Sequence, residues 1–204
     1  MGCVLLALPA QALSVEAAPR LLVWGDSLSA GYSLNSNEAW PKLLQDRLRE
    51  EGYIYHVING SVSGETSDGG RSRLPAALAE HKPRVLVLAL GANDGLRGLA
   101  PVRLSENLVA MIEAAQATQA RVLLVGMQMP PNYGRSYTAV FAQAFKDAAE
   151  QTGVAFVPFL LDGFADQPEA FQADGNHPTA ASQPLLLDNV WPTLKTLLDQ
   201  PASH

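Results

Sequence analysis

A serine stands directly after an apolar run in Leu21-Leu22-Val23-Trp24-Gly25-Asp26-Ser27-Leu28-Ser29, and an Asp174-Gly175-Asn176-His177-Pro178 stretch lies near the other end of the chain. A serine hydroxyl is a poor nucleophile at neutral pH unless a base takes its proton and a third group orients that base. Ser27, His177 and Asp174 are the candidates for those three tasks. Among the four histidines, His56 falls in an expected strand, His81 at a helix end before Pro83, and His204 at the terminus; only His177 has an aspartate one turn upstream. Each residue has a plainer role when taken alone. Ser27 could be a helix N-cap, and Asp174-Gly175-Asn176 a surface turn leading into a helix with His177 at its start. Their joint presence turns the reading toward nucleophilic catalysis.

Residues so far apart in sequence need a fold that brings them together. Runs rich in Val, Ile and Leu at Arg20–Trp24, Tyr53–Asn59, Arg84–Leu90, Arg121–Met127 and Val154–Phe159 read as strands, several apolar on both faces as buried parallel strands must be. Between them lie stretches of helical period, marked by Trp40, Leu43, Leu44 and Leu48; by Leu74 and Leu78; by Leu104, Leu108, Met111, Ile112 and Ala115; by Phe141, Phe145 and Ala148; and by Leu186, Val190, Leu194 and Leu197. This alternation predicts an α/β three-layer sandwich, with a central, mostly parallel sheet of about five strands flanked by helices. In such folds the ligand crevice lies beyond the carboxyl ends of the strands. The polar and glycine-rich segments fall there: Gly25-Asp26-Ser27, Asn59-Gly60-Ser61-Val62-Ser63-Gly64 and Gly91-Ala92-Asn93-Asp94. Ser27 would open a helix whose free N–H groups favour developing negative charge. Gly64 can bring its N–H close to a ligand, and Asn93 can aim an amide into the same space, so both are oxyanion-hole candidates. Turn punctuation for Gly64 and an Asx turn for Asn93 are the alternatives. Asp26 and Asp94 read as loop-fixing carboxylates.

Composition limits the partners. The 204 residues, 48% hydrophobic and 17% charged, suffice for one good core, so residues 19–204 read as a single domain. A net charge of -6 argues against nucleic acid, which is met by basic patches. Met1 to Ala12 is apolar and uncharged and ends in Ala10-Gln11-Ala12, a small-x-small pattern; residues 1–18 therefore read as a signal peptide, with the missing basic residue pointing to a start further upstream. The run is too short to span a membrane. Its removal would take away Cys3, the one cysteine, and with it any disulfide or thiol chemistry. A periplasmic or secreted location follows as an expectation.

The four blocks Gly25-Asp26-Ser27-Leu28, Gly64, Gly91-Ala92-Asn93-Asp94 and Asp174-x-x-His177 occur in the order of the GDSL, or SGNH, hydrolases, and from Leu21 onward the chain resembles that family. Asn93-Asp94-Gly95-Leu96-Arg97-Gly98 and Pro130-Pro131-Asn132-Tyr133-Gly134 bring it nearest to bacterial periplasmic esterases of the thioesterase, protease and lysophospholipase type and to pseudomonad arylesterases. The resemblance implies a flavodoxin-like SGNH fold and a carboxylic ester hydrolase. It assigns Ser27 as nucleophile, the Ser27 N–H, Gly64 and Asn93 as oxyanion donors, His177 as base and Asp174 as its orienting group. The chain departs from the family's common pattern at Ala92, Glu65 and Asn176, none of which is a catalytic group.

Two rival readings come from other classes. Asp26, Asp94, Asp174 and His177 could serve a metal-dependent phosphoesterase, although the denser ligand clusters of a two-metal site are missing. A non-catalytic binding module leaves the Ser-His-Asp set unexplained. The glycine-x-serine-x-glycine elbow of α/β-hydrolases is absent, because Ser29 occupies its second glycine position. The expected activity is therefore a serine esterase, acting as a monomer on small esters, thioesters or lysophospholipids, with no cofactor or metal. Gly95-Leu96-Arg97-Gly98-Leu99-Ala100 reads as a small lid over the acyl chain, such as the related thioesterases have. Leu96, Leu99 and Met129 are the expected groove residues, with ordinary core packing as the alternative.

Overall fold

The computed structural model describes residues 18–200. Nearly all of the expected leader, Cys3 within it, and His204 lie outside the described residues. The five apolar runs form one sheet: β1 (Arg20–Gly25), β2 (His56–Asn59), β3 (Val85–Ala89), β4 (Arg121–Val125) and β5 (Ala155–Val157), in the order β2-β1-β3-β4-β5. Every pairing is parallel, with Leu21 opposite Val57 on one side and Val85 on the other. The helices are α1 (Ser27–Ala30), α2 (Trp40–Glu50), α3 (Ser67–His81), α4 (Ala92–Leu96), α5 (Pro101–Ala117), α6 (Arg135–Thr152) and α7 (Gln183–Leu198). The short α1 and α4 carry too few residues for a periodic signal, and they are the two that enter the site.

Alternate side chains of each strand point to opposite faces, and here both faces are covered. Leu21, Val23, Val85, Val87 and Leu123 pack with Trp40, Leu44 and Leu48 of α2 and Leu186, Val190 and Leu194 of α7. Leu22, Trp24, Leu86, Leu88 and Leu124 pack with Leu74 of α3, Leu104 and Leu108 of α5, and Phe141 and Phe145 of α6. That is why the strands read as continuous apolar runs rather than alternating ones. Truncating one of the fully buried leucines to alanine costs about 2–5 kcal/mol.

Strand ends differ from the expected ones where the backbone has other partners. Tyr53 N–H donates to Leu48 O at the end of α2 and so lies outside β2. β5 stops at Val157: the next bond along the ladder, to Gly126 O, is made by Leu160 N–H in place of Phe159 N–H, so the chain leaves the sheet there.

The strand order decides where a ligand sits. β1 has β2 on one side and β3 on the other, so the segments after β1 and β3 leave the sheet on either side of a crevice, the switch point of a flavodoxin-like sheet. Ser27 follows β1, and Asn93 follows β3.

Candidate active site

Asp26 builds the turn that presents Ser27. It caps α1, its carboxylate accepting the Leu28 N–H at 3.0 Å, and Gly31 ends the helix in the left-handed region. Ser29, fully buried, pins α1 from below: its hydroxyl accepts from Trp40 Nε1 at 3.3 Å, and its carbonyl accepts from Asn59 Nδ2 at 2.8 Å. Burial pushes the Asp26 carboxyl up to about 7, with the charge of Asp94 adding to the rise and the Leu28 N–H and His177 opposing it. Asp94 is also buried, and it accepts the Ser67 N–H at 2.8 Å and the Ser67 hydroxyl at 2.5 Å. Both carboxylates thus serve the loops.

His177 arrives on a narrow loop, closed by an antiparallel bridge between Phe171 and Pro178 and by a 2.7 Å bond from Gln172 N–H to His177 O. At its tip Asp174 Oδ1 accepts the N–H groups of Asn176 at 2.9 Å and His177 at 3.0 Å, an Asx turn. Its Oδ2 lies 2.7 Å from His177 Nδ1. These bonds, that from the Asn176 N–H foremost, hold the Asp174 carboxyl down at about 2. Across the crevice, His177 Nε2 is 2.8 Å from Ser27 Oγ. With Nδ1–H donated to Asp174, Nε2 is left to accept from the serine hydroxyl. Residues 150 positions apart in the chain are thereby in hydrogen-bond contact.

Gly64 occupies the third position of the Val62–Glu65 turn at φ 79°, where glycine avoids the Cβ penalty. Asn93 rides on α4, whose cap Gly91 has φ 131°; a Cβ there would also meet Phe145 Cζ at 2.7 Å. Ser27, Gly64, Asn93 and His177 all line one cavity of about 650 Å³, a volume in the range of small-molecule sites. The rest of its wall is largely apolar, including Leu28, Leu96, Met129, Pro130, Phe159, Leu161 and Phe171.

Leu96 and Met129 therefore stand where the groove was expected, Met129 almost fully buried and Leu96 half-exposed. Leu99 does not line this cavity. Its N–H bonds back to Asp94 O and its carbonyl accepts the Tyr137 hydroxyl at 3.0 Å, a turn that leaves its side chain half-exposed. The expected lid segment is tethered in this structure: Tyr137 also reaches Gly95 O at 3.3 Å, and Tyr133 reaches Leu96 O at 3.4 Å. Sequence reasoning missed Tyr32, whose ring packs on His177, and the Phe159, Leu161 and Phe171 wall. The signal for that wall was faint, since an apolar stretch after the last strand has no period to show which side it faces. Among the described residues no three His, Cys, Asp or Glu gather as a metal-binding group, and no helix is long and apolar enough to cross a membrane.

A flavodoxin-like sheet with a serine bonded to a histidine at its switch point is the framework of a hydrolase. The model of the GDSL-like lipase/acylhydrolase family matches residues 23–183. Esterase TesA of Pseudomonas aeruginosa is 52% identical over 197 residues, 97% of this chain and 96% of that protein. Thioesterase 1/protease 1/lysophospholipase L1 of Escherichia coli is 38% identical over 183 residues, 90% of this chain and 86% of that one. Among solved structures, a psychrotrophic esterase, EstA from Pseudoalteromonas sp., inhibited by monoethylphosphonate, superposes with a TM-score of 0.84 at 38% identity, covering 89% of this chain and 99% of that chain. The chain belongs to the GDSL-like lipase/acylhydrolase family and is a hydrolase.

Proposed function

We propose that this chain hydrolyses carboxylic esters and thioesters, aryl esters and lysophospholipids among them, by acyl transfer to Ser27. The observation that carries the reading is the unbroken line of hydrogen bonds from Ser27 Oγ through His177 to Asp174, opening into an apolar cavity. His177 Nε2 takes the hydroxyl proton as Oγ bonds to the acyl carbon, and the carbonyl electron pair moves onto oxygen. The N–H groups of Ser27 and Gly64 and the Asn93 amide hold that oxyanion. The alcohol or thiol leaves with the proton from His177. A water molecule then gives a proton to His177 as it attacks the acyl-enzyme, and Ser27 recovers its proton when the acid departs. Asp174 keeps the imidazole in the required tautomer throughout.

The names of the relatives support the substrate class, and the apolar wall suits an acyl or aryl group. Every group in the scheme comes from one chain, which fits a monomer. Export to the periplasm, as the residues up to Ala12 suggest, would set lysophospholipids and environmental esters ahead of cytosolic acyl thioesters as natural substrates. Ser27→Ala tests the mechanism. The folded variant is expected to lose both ester hydrolysis and covalent labelling by an alkylphosphonate, because the nucleophile is irreplaceable while the cap of α1, Asp26, stays in place. Near-wild-type turnover by folded Ser27→Ala protein would overturn the reading.

A further inference from the structure

The loops carrying Gly64 and Asn93 approach from opposite sides of β1, one after β2 and the other after β3. The sheet ladder ends before either loop, so it does not by itself set the distance between them. Gly64 lacks a side chain to anchor it, and no atom of another segment lies within 4 Å of where a Cβ would be. Its N–H and its carbonyl lie in the two peptides that meet at its Cα, where glycine turns freely, so a hold on the carbonyl helps the N–H to keep one direction.

Arg97 supplies that hold. Its Nη2 donates to the Gly64 carbonyl at 2.9 Å, and its backbone N–H donates to the Asn93 carbonyl at 3.1 Å. One residue bonds to both segments. Arg97 is itself steadied from behind, because Tyr133 and Tyr137 bond the carbonyls of its neighbours Leu96 and Gly95. The far side of the Gly64 turn is braced separately: Glu65 accepts from Arg73 Nε at 2.6 Å, and the Arg73 guanidinium lies 4.2 Å above the Trp24 ring. The two segments are also joined at their base, where Ser67 bonds Asp94 of α4, but among the described residues it is the Arg97 bond that reaches the Gly64 turn itself.

We propose that Arg97 is a positioning residue, which holds the Gly64 N–H and the Asn93 amide at the separation at which both converge on one oxyanion. The inference rests on the esterase reading above. It requires that Arg97 act on the transition state, where the oxyanion exists, rather than on substrate binding.

Steady-state kinetics on phenyl acetate, together with the affinity of a phenylboronic acid as tetrahedral mimic, provides the test. Arg97→Ala is expected to lower kcat by about 10-fold, less than the roughly 10²–10³ lost with an oxyanion donor itself. KM should change by less than about twofold, and boronate affinity should fall in step with kcat. Added ethylguanidinium should restore part of the rate, and Arg97→Lys should fall between. Arg103→Ala, which removes a surface arginine bonded to Asp68 and Glu106, should match the parent protein. Unchanged kcat and boronate affinity in Arg97→Ala, or a change confined to KM, would overturn the proposal while leaving Ser27 as nucleophile. Activity retained by Ser27→Ala would overturn the esterase reading and this inference with it.

Discussion

The phenol ring of Tyr32 lies against the imidazole of His177, their centroids 4.4 Å apart and their planes tilted by 32°. The two are linked a second way, since Gln172, on the loop that carries His177, donates through Nε2 to Tyr32 O at 3.0 Å. Asp174 fixes one edge of the imidazole, and Tyr32 closes one face, so the ring has little freedom to swing away from Ser27. Tyr32→Ala is therefore expected to lower kcat by about 3- to 10-fold, the cost of a misoriented base. Tyr32→Phe should retain wild-type kcat, since the hydroxyl takes no part in the contact. Equal losses in both variants would assign the effect to the hydroxyl instead.

Asn93→Ala should reduce kcat by about 10²–10³ with little change in KM, as expected for a donor aimed at the oxyanion rather than at the ground-state carbonyl. The comparison is made at saturating phenyl acetate. A rise in KM with kcat preserved would show that Asn93 only seats the substrate.

The buried carboxyl of Asp26 should leave a mark on stability. Its value near 7 in the folded protein stands above the ordinary carboxylate value of about 3.9 in the unfolded chain. Between roughly pH 4 and 7 the folded protein retains a proton that the unfolded chain has lost, so stability falls as pH rises through that window and levels off beyond it. Asp174 works in the other direction: held at about 2, it contributes stability that is present above about pH 4 and lost as pH falls toward 2, an effect kept small by its exposure. Asp26→Asn keeps an oxygen for the Leu28 N–H and should flatten the decline of Tm between pH 4 and 7. An undiminished decline would mean that another group carries it.

Chain-length preference should distinguish Leu96 from Leu99. Leu96 lines the cavity and Leu99 does not. Leu96→Ser is expected to raise KM for a long-chain acyl ester by several-fold more than for phenyl acetate, since each buried methylene contact is worth up to ~0.8 kcal/mol and an acetyl group makes few of them. Leu99→Ser should leave both KM values close to those of the parent. A larger effect from Leu99 than from Leu96 would place the acyl chain on the outer side of α4.

Much of this protein was legible in one dimension because its signals are local or are repeated many times. Five apolar runs with intervening helical periods specify a doubly covered sheet, since only burial on both faces tolerates Leu21 to Trp24 and Val85 to Leu90 as continuous apolar segments. The catalytic candidates were legible for a related reason: Ser27, Gly64, Asn93 and the Asp174–His177 pair all sit on segments that leave strand or loop ends toward one crevice, and although each has a common role alone, their joint presence has few other uses. Three-dimensional packing decided the rest. Strand ends moved because Tyr53 is bonded to the end of α2 and because Leu160, not Phe159, bonds Gly126 O. Leu96 and Leu99, three residues apart with the same side chain, divided between the cavity and the outer surface because the end of α4 turns back on Asp94, a geometry set by hydrogen bonds from Tyr133 and Tyr137 about forty residues later. The contacts of Tyr32 with His177 and of Arg97 with Gly64 left no periodic trace at all. Such contacts depend on where two distant loops meet in space, and a sequence records residue types and spacings along the chain but not the distances across it.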